Sequence, residues 1–213
     1  CLARLPQLNV ILVGDQAALE SALRSCSLPS DRVSFRYTSE VILADDSPAS
    51  VLRRKTDASM RVAIELVRDG QAAGCLSAGN TGALMVLARS VLGTLPGIDR
   101  PAFMAALPVA GKACYLLDLG ANVDCTADQL FSFAVMGSVA VSELTGNLAP
   151  RVGLLNIGTE LHKGSQRVRE VAERLHNCKQ LNYVGSVEGD GLFRDQALTG
   201  VQAIVVGQYH TCA

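Results

Sequence analysis

The chain has 213 residues, 49% of them hydrophobic and 18% charged, and its formal net charge is −1. A sequence of this length and composition predicts a globular protein with a substantial core. The near-neutral charge, with 4% aromatic residues and no Trp, argues against nucleic acid as a partner and against a broad surface for anionic membranes.

The first half of the sequence alternates between β-rich and helix-periodic segments. Asp15 stands as an N-cap before the first helix, and Gly70 ends the second. An irregular acidic stretch around Pro48 lies between them. The predicted elements are a strand at 8–14, a helix at 16–25, a strand at 33–37, a helix at 59–70, a strand-like run closing at 76–77, and a helix reaching about residue 92.

The second half predicts a mixed sheet. The connection between the first two of its strands is only a few residues long, which requires them to be antiparallel, whereas the other connections contain helices and favour parallel pairing. The expected fold is a three-layer α/β domain with a mixed, mainly parallel sheet, formed by residues 1–213 as a single domain. The predicted elements are strands at 103–109 and 114–119, a helix at 127–144, a strand at 151–157, a helix at 165–177, and strands at 181–184 and 203–206.

Three loops follow the ends of predicted strands and carry small polar residues. They are GNTG at 79–82, GANVD at 120–124 and GTELHKG at 158–164. Ligands of open α/β sheets bind outside the carboxyl ends of the strands, so we expect the three loops to meet at one crevice. Such a crevice offers neutral side chains together with one positive charge, on Lys163.

The GNTG loop by itself has two interpretations. Gly79 and Gly82 allow a sharp turn and a close backbone approach, and the first N–H groups of the next helix have no partner within it, which favours an anion. Alternatively, Asn80 or Thr81 simply caps the helix. Neither a Walker A pattern nor G-x-G-x-x-G is present to decide between them.

Other reactive side chains give weaker signals. Arg54 and Lys55 precede a helix and Arg100 lies in a loop, where the simplest interpretation is solvated surface charge. Seven cysteines without a C-x-x-C pair predict buried thiols in a reducing compartment, not disulfides or a zinc site. Cys125 has no His nearby in the sequence to activate it as a nucleophile. The three histidines lack the spacing of a metal site or a triad, and nothing in the sequence requires a cofactor or a metal.

The sequence shows no signal peptide pattern, and its least charged segment, 129–142, is shorter than the roughly 20 residues of a membrane span. We therefore expect a cytoplasmic protein.

Several motifs together resemble the PlsX family of acyl-ACP:phosphate acyltransferases, in family order and across nearly the whole chain. They are SMRVAIELVRDGQA, LSAGNTGALM, GIDRPAF, LLDLGANVDC, PRVGLLNIGTELHKGS and NYVGSVEG. The resemblance implies a fold similar to isocitrate dehydrogenase and phosphotransacetylase. It also implies transfer of a fatty acyl group from acyl carrier protein to inorganic phosphate, in a homodimer with possible peripheral membrane contact.

The resemblance and the loop chemistry together suggest a set of site residues. We expect Asn80, Lys163, Asn122 and Asp124 to act in catalysis, with the GNTG backbone holding phosphate or a developing oxyanion. Further contacts to phosphate or the acyl group are expected from Gly79, Thr81, Gly82, Arg54, Lys55, Arg100, Gly120, Asn156, Gly158 and Thr159.

The chain departs from the family pattern in three places. It begins after the usual DAMGGD-like loop, it lacks the DGF-G-N motif and helical hairpin, and SVEGDGLF carries Ser186 and Asp190 in unusual places. We expect these departures to weaken activity and membrane contact and to promote association. Two alternatives stay open: a short-chain acyl-CoA phosphotransacylase, and a noncatalytic remnant that binds a ligand.

Overall fold

The computed structural model describes residues 2–26, 28–29, 31–109, 112–119, 122, 124–156 and 165–189, and for 112 and 201–206 the backbone only. The chain divides into two compact units, Cys1–Leu95 and Pro96–Ala213. Each unit is described by itself, and the single domain expected from the sequence stays a prediction.

Unit 1 combines a small parallel sheet with four helices. Strands β1 and β2 pair in parallel, and a buried cluster centred on Val51, Ile64 and Leu87 joins the three later helices. The elements are β1 (Val10–Gly14), α1 (Gln16–Leu23), β2 (Val33–Tyr37), α2 (Pro48–Arg54), α3 (Ser59–Arg68) and α4 (Thr81–Leu92).

Helix α2 occupies the acidic stretch that the sequence predicted to be irregular. The Ser47 side chain accepts a hydrogen bond from the Ser50 N–H, and Pro48 follows in the first turn. Proline is tolerated there because the N–H that it lacks has no helical partner. Pro48 therefore begins a helix in this sequence instead of interrupting one.

The predicted strand before the GNTG loop is wrong. Residues 71–80 form bends and irregular backbone, and Leu76 is 98% exposed. A strand requires a neighbour for its backbone hydrogen bonds, and among the described strands β1 and β2 pair only with each other. The apolar composition of this run therefore does not produce a strand.

Unit 2 is built on a five-stranded mixed sheet in the order β3-β4-β7-β5-β6. The β3–β4 pair is antiparallel, as its short connection predicts, and the other neighbours are parallel. The α/β class with a mixed, mainly parallel sheet is thus confirmed, although the strands of the two units form separate sheets. The elements are β3 (Met104–Val109), β4 (Lys112–Leu117), α5 (Ala127–Thr145), β5 (Arg151–Leu155), α6 (Gln166–Asn177), β6 (Asn182–Val187) and β7 (Val201–Val206).

The sheet of unit 2 is buried on both faces. Leu117 and Leu154 belong to a cluster with Phe133 of α5 and Leu175 of α6. The adjacent strand residues Leu116 and Leu155 belong to a second cluster with Cys114 and Val187. Successive side chains of a strand point to opposite faces, which is why both sets are apolar.

The register of this sheet brings two chain segments to one edge. Leu117 of β4 and Leu154 of β5 both lie opposite Val205 of the central strand β7. Asp118 directly follows β4, and Asn156 directly follows β5. The two residues therefore leave the same edge of the sheet about two strand spacings, or roughly 10 Å, apart.

In the described part of the chain, no helix has both the length and the apolar character needed to cross a membrane.

Candidate functional site

Asn80 is the N-cap of helix α4. Its side-chain oxygen accepts a hydrogen bond from the Ala83 N–H at 3.0 Å. Its Nδ2 donates to the carbonyl oxygens of Leu43 and Ala44, at 3.3 and 3.0 Å. The amide therefore caps the helix and also ties it to the segment 41–46, so its polar atoms are engaged within the protein.

Lys55 contacts the same segment. Its Nζ donates to the Val41 carbonyl at 3.0 Å and lies 3.7 Å from the Asp46 carboxylate. The structure thus brings two predicted site residues, Asn80 and Lys55, to one short segment of unit 1. Arg54, predicted beside Lys55, is exposed.

The end of α4 offers backbone donors to a ligand. The first three N–H groups of a helix have no partner within it, and Asn80 takes only that of Ala83. Thr81 and Gly82, the residues with the other two, are exposed. Gly79 is required for a different reason than the sequence suggested: a Cβ there would meet Met60 Cε at 2.8 Å, whereas its φ is not in the left-handed region.

A second group of polar residues surrounds Asp118 in unit 2. Asp118 is 4% exposed and has φ +64°, in the left-handed region. This backbone conformation ends β4 at Leu117, two residues earlier than predicted. The Asp118 N–H donates to the Phe103 carbonyl at 2.8 Å, which fixes the turn against β3.

The Asp118 carboxylate organises the predicted site residue Asn122. Asn122 Nδ2 donates to Asp118 Oδ1 at 3.0 Å and to the Pro101 carbonyl at 3.2 Å. A flipped amide would place its oxygen against two acceptors, so the hydrogen bonds dictate the orientation. Both N–H groups of Asn122 are therefore used, and its Oδ1 is the side-chain atom left to interact with a ligand.

Cys125 is held by the same carboxylate. Its thiol is 2% exposed and donates to Asp118 Oδ2 at 3.4 Å. Burial, together with the negative charge of Asp118 and the hydrogen bond to it, raises the pKa of Cys125 to about 12, against opposing effects of Arg100 and Arg167. The thiol stays protonated at neutral pH, which agrees with its rejection as a nucleophile.

Asp124 projects from the other side of this loop. Its side chain is 78% exposed and pairs with Arg167 Nη1 at 2.7 Å. The same guanidinium nitrogen donates to the Cys125 carbonyl, also at 2.7 Å. Arg167, in the first turn of α6, therefore anchors the end of the loop to that helix.

The remaining predicted residues of unit 2 divide into two groups. Arg100 lies 4.0 Å from Asp99 and precedes Pro101, a partner of Asn122. Asn156 is 5% exposed, and its N–H donates to the Val187 carbonyl at the same sheet edge. Outside the described residues lie Gly120, Gly158, Thr159 and Lys163.

Sequence reasoning missed the importance of Asp118 and Arg167. Asp118 was assigned to the interior of a strand, although a carboxylate at the end of the apolar run LYLL-like pattern in 114–119 is itself a signal of a buried polar role. Arg167 gives no such signal, because its contacts with Asp124 and Cys125 cross more than forty positions in sequence. The expectation that all three loops meet at one crevice stays a prediction.

Residues 1–207 match the family model described as "Fatty acid synthesis protein". The chain belongs to this family. The match confirms the PlsX resemblance that the sequence motifs carry.

Individual members of the family are similar along most of the chain. Proteins named phosphate acyltransferase from Pseudomonas putida (strain GB-1) and Pseudomonas syringae pv. syringae (strain B728a) are 56% and 55% identical to it, each over 92% of this chain. The chain spans 59% and 58% of their lengths.

Two solved structures share the fold of this family member. A branched-chain phosphotransacylase from Enterococcus faecalis V583 has a TM-score of 0.59 at 16% identity, covering 93% of this chain and 79% of that structure. The EutD phosphotransacetylase from Staphylococcus aureus has a TM-score of 0.51 at 17% identity, covering 95% and 60%. Both confirm the fold that the resemblance implied.

Proposed function

We propose that the protein transfers a fatty acyl group from acyl carrier protein to inorganic phosphate, giving acyl phosphate for phospholipid synthesis. The observation that carries this proposal is the 56% identity, over 92% of the chain, to a protein named phosphate acyltransferase. It is supported by the family match over residues 1–207.

The residue chemistry supports a direct transfer without a covalent enzyme intermediate. Phosphate is already an anionic nucleophile at neutral pH, and a thiolate with a pKa near 8.5 leaves readily. The protein then has to position the reactants and stabilise the oxyanion. A protonated, buried Cys125 is consistent with such a mechanism, because no thiolate is needed.

We assign the phosphate side of the reaction to the GNTG loop. The exposed residues Thr81 and Gly82 supply backbone N–H groups at the positive end of the α4 dipole. Asn80, whose amide is engaged, contributes by shaping this end of the helix. Lys163 supplies positive charge, with Gly158 and Thr159 from the same loop, and Gly79, Arg54 and Lys55 support the loop from unit 1.

We assign orientation of the reacting groups to Asn122 and Asp124. Arg100, Gly120 and Asn156 complete this side of the site. No cofactor or metal is part of the proposal, and the protein acts in the cytoplasm as a homodimer that contacts the membrane only peripherally.

The proposal is tested by incubating the chain with inorganic phosphate and either a long-chain acyl-ACP or a short-chain acyl-CoA. Acyl phosphate is trapped as the hydroxamate and quantified. We expect product from acyl-ACP, and loss of product with Lys163→Ala. The matched control is Lys179→Ala, which removes an exposed lysine from the turn after α6 and should leave turnover unchanged.

The same assay separates the alternatives. Preferential use of short-chain acyl-CoA would identify a short-chain phosphotransacylase. Phosphate binding by calorimetry without product from either donor would identify a noncatalytic ligand-binding protein. Near-normal turnover in both Lys163→Ala and Asn80→Ala would contradict the site assignment while leaving the reaction in place.

A further inference from the structure

The carboxylate of Asp118 is buried but is not engaged in an ion pair in the described part of the chain. A buried carboxylate is costly unless its oxygens accept hydrogen bonds. Here each oxygen has one donor, the Asn122 amide on Oδ1 and the Cys125 thiol on Oδ2. The left-handed backbone at Asp118 adds a further cost, so this arrangement is maintained against two unfavourable contributions.

The arrangement determines the hydrogen-bonding character of Asn122. A free asparagine offers a ligand two donors and one acceptor group. With both N–H groups engaged by Asp118 and Pro101, Asn122 can offer a ligand only its Oδ1. Among the described residues, none donates a hydrogen bond to that oxygen.

We propose that Asp118 is a positioning residue, which holds the Asn122 amide so that its Oδ1 accepts a hydrogen bond from the hydroxyl of the phosphate substrate. This inference rests on the proposed function. Inorganic phosphate retains at least one O–H group near neutral pH, so it is a donor as well as an anion. The contact orients the phosphate through its hydroxyl and leaves an unprotonated oxygen to attack the thioester carbonyl.

Cys125 completes the arrangement without taking part in the reaction. Its thiol donates to the second carboxylate oxygen, and its backbone carbonyl receives the Arg167 guanidinium. Both contacts fix the far end of the loop that carries Asn122. Asp118 thus restrains this loop at two points, one of which is a predicted site residue.

A double-mutant cycle tests whether Asp118 acts through Asn122. We expect Asp118→Ala and Asn122→Ala each to lower kcat/KM for phosphate by about tenfold or more, since misplacing a substrate-orienting group has effects of this order. The double variant should be no more than about twofold worse than Asn122→Ala, because the second substitution removes a function already lost. Asp118→Asn, which keeps one acceptor, should recover part of the activity.

The control for general destabilisation is Cys114→Ala. Cys114 is a buried thiol in the same strand, β4, but it belongs to the cluster on the other face of the sheet. It should lower the melting temperature without changing the KM for phosphate. Losses for Asp118→Ala and Asn122→Ala that multiply in the double variant would overturn the inference. So would a change confined to the KM for acyl-ACP, because the acceptor would then face the acyl donor.

A measurement that is independent of turnover keeps this test separate from the proposed function. In ¹⁵N NMR spectra, the side-chain amide hydrogens of Asn122 should exchange slowly, shift on addition of inorganic phosphate, and exchange faster in Asp118→Ala. Fast exchange in the unsubstituted protein, or no shift with phosphate, would overturn the role of Asp118. If these signals behave as expected while no acyl phosphate forms, the proposed reaction is wrong and the phosphate contact stands.

Discussion

At the scale of single residues, Cys114 and Cys125 link stability to pH. Burial raises the pKa of Cys114 to about 11, and burial with the Asp118 charge raises that of Cys125 to about 12, both from 9.0. An unfolded thiol ionises at lower pH than these buried thiols, so their contribution to stability is complete below about pH 9 and declines as the pH rises toward 12. The urea midpoint should fall over this range.

A Cys114→Ala/Cys125→Ala variant provides the comparison. Its urea midpoint should decline less steeply between pH 9 and 10.5 than that of the unsubstituted protein. Serine at the exposed residues Cys26 and Cys75 should leave the slope unchanged. Equal slopes in the buried-thiol variant and the unsubstituted protein would show that these two groups do not ionise differently on unfolding.

The two glycines of the GNTG loop are predicted to respond differently to alanine. A Cβ at Gly79 would lie 2.8 Å from Met60 Cε, so that flexible side chain has to move, at about 1 kcal/mol. A Cβ at Gly82 meets only Asn80 Oδ1 at 3.5 Å, and alanine favours the helix by up to about 1 kcal/mol. Urea unfolding should therefore show Gly79→Ala to be less stable than Gly82→Ala, and the reverse order would contradict the close contact.

Much of the residue-level picture could be predicted, but the use of each side chain could not. The sequence placed Asn80 at the start of a helix and offered both a cap and an anion site as explanations. The structure shows the cap and adds contacts with Leu43 and Ala44. Those partners lie about 36 positions earlier in the sequence, and no periodicity connects them to the loop.

At the scale of elements, helix α4 depends on Asn80 twice, through its cap and through the segment 41–46. We predict that Asn80→Ala costs about 1–2 kcal/mol, as the loss of a cap typically does, with an additional loss from the two unpaired carbonyls. Asn80→Ser, which keeps an oxygen for the cap, should fall between alanine and the natural residue. Urea unfolding followed by circular dichroism measures the three.

Ser47→Ala is the matched control for that series. Ser47 caps α2 through a single hydrogen bond at 3.3 Å, so its loss should resemble the difference between serine and alanine at position 80. Equal stability of Asn80→Ala and the natural protein would show that the contacts of Asn80 with 41–46 contribute nothing.

Elements with their own local signals were predicted well, and those that depend on partners were not. The helix α6 has both a cap, Ser165, and an amphipathic pattern, and β2 was predicted at its observed bounds. The run ending at Leu76 has the composition of a strand but no strand beside it. Strand formation depends on a neighbour, which a local pattern does not identify.

At the scale of the whole molecule, the expectation of a single domain leads to a thermodynamic prediction. A single domain unfolds in one cooperative transition, whereas two independent units produce two. We expect calorimetry to show one transition whose calorimetric and van't Hoff enthalpies agree. Cleavage by thermolysin at Leu95, which is 76% exposed at the unit boundary, is the complementary experiment: the fragments should remain associated on size-exclusion chromatography.

Two resolved transitions, or fragments that separate and remain folded, would replace the single domain by two. The sequence could not decide this question, since the break at Leu95 falls in a Gly- and Pro-containing loop of ordinary length. The fold class was accessible because strand and helix patterns alternate. The family was accessible because its motifs cover residues on both sides of that break.

The position of β7 affects how the protein is made. It is the last described strand in sequence, yet it lies in the centre of the five-stranded sheet, between β4 and β5. During translation the ribosome delivers β3, β4, β5 and β6 before the strand that joins them, so the two halves of the sheet cannot pair until β7 emerges. The nascent chain therefore holds open strand edges until late in synthesis, when chaperones have the greatest opportunity to act.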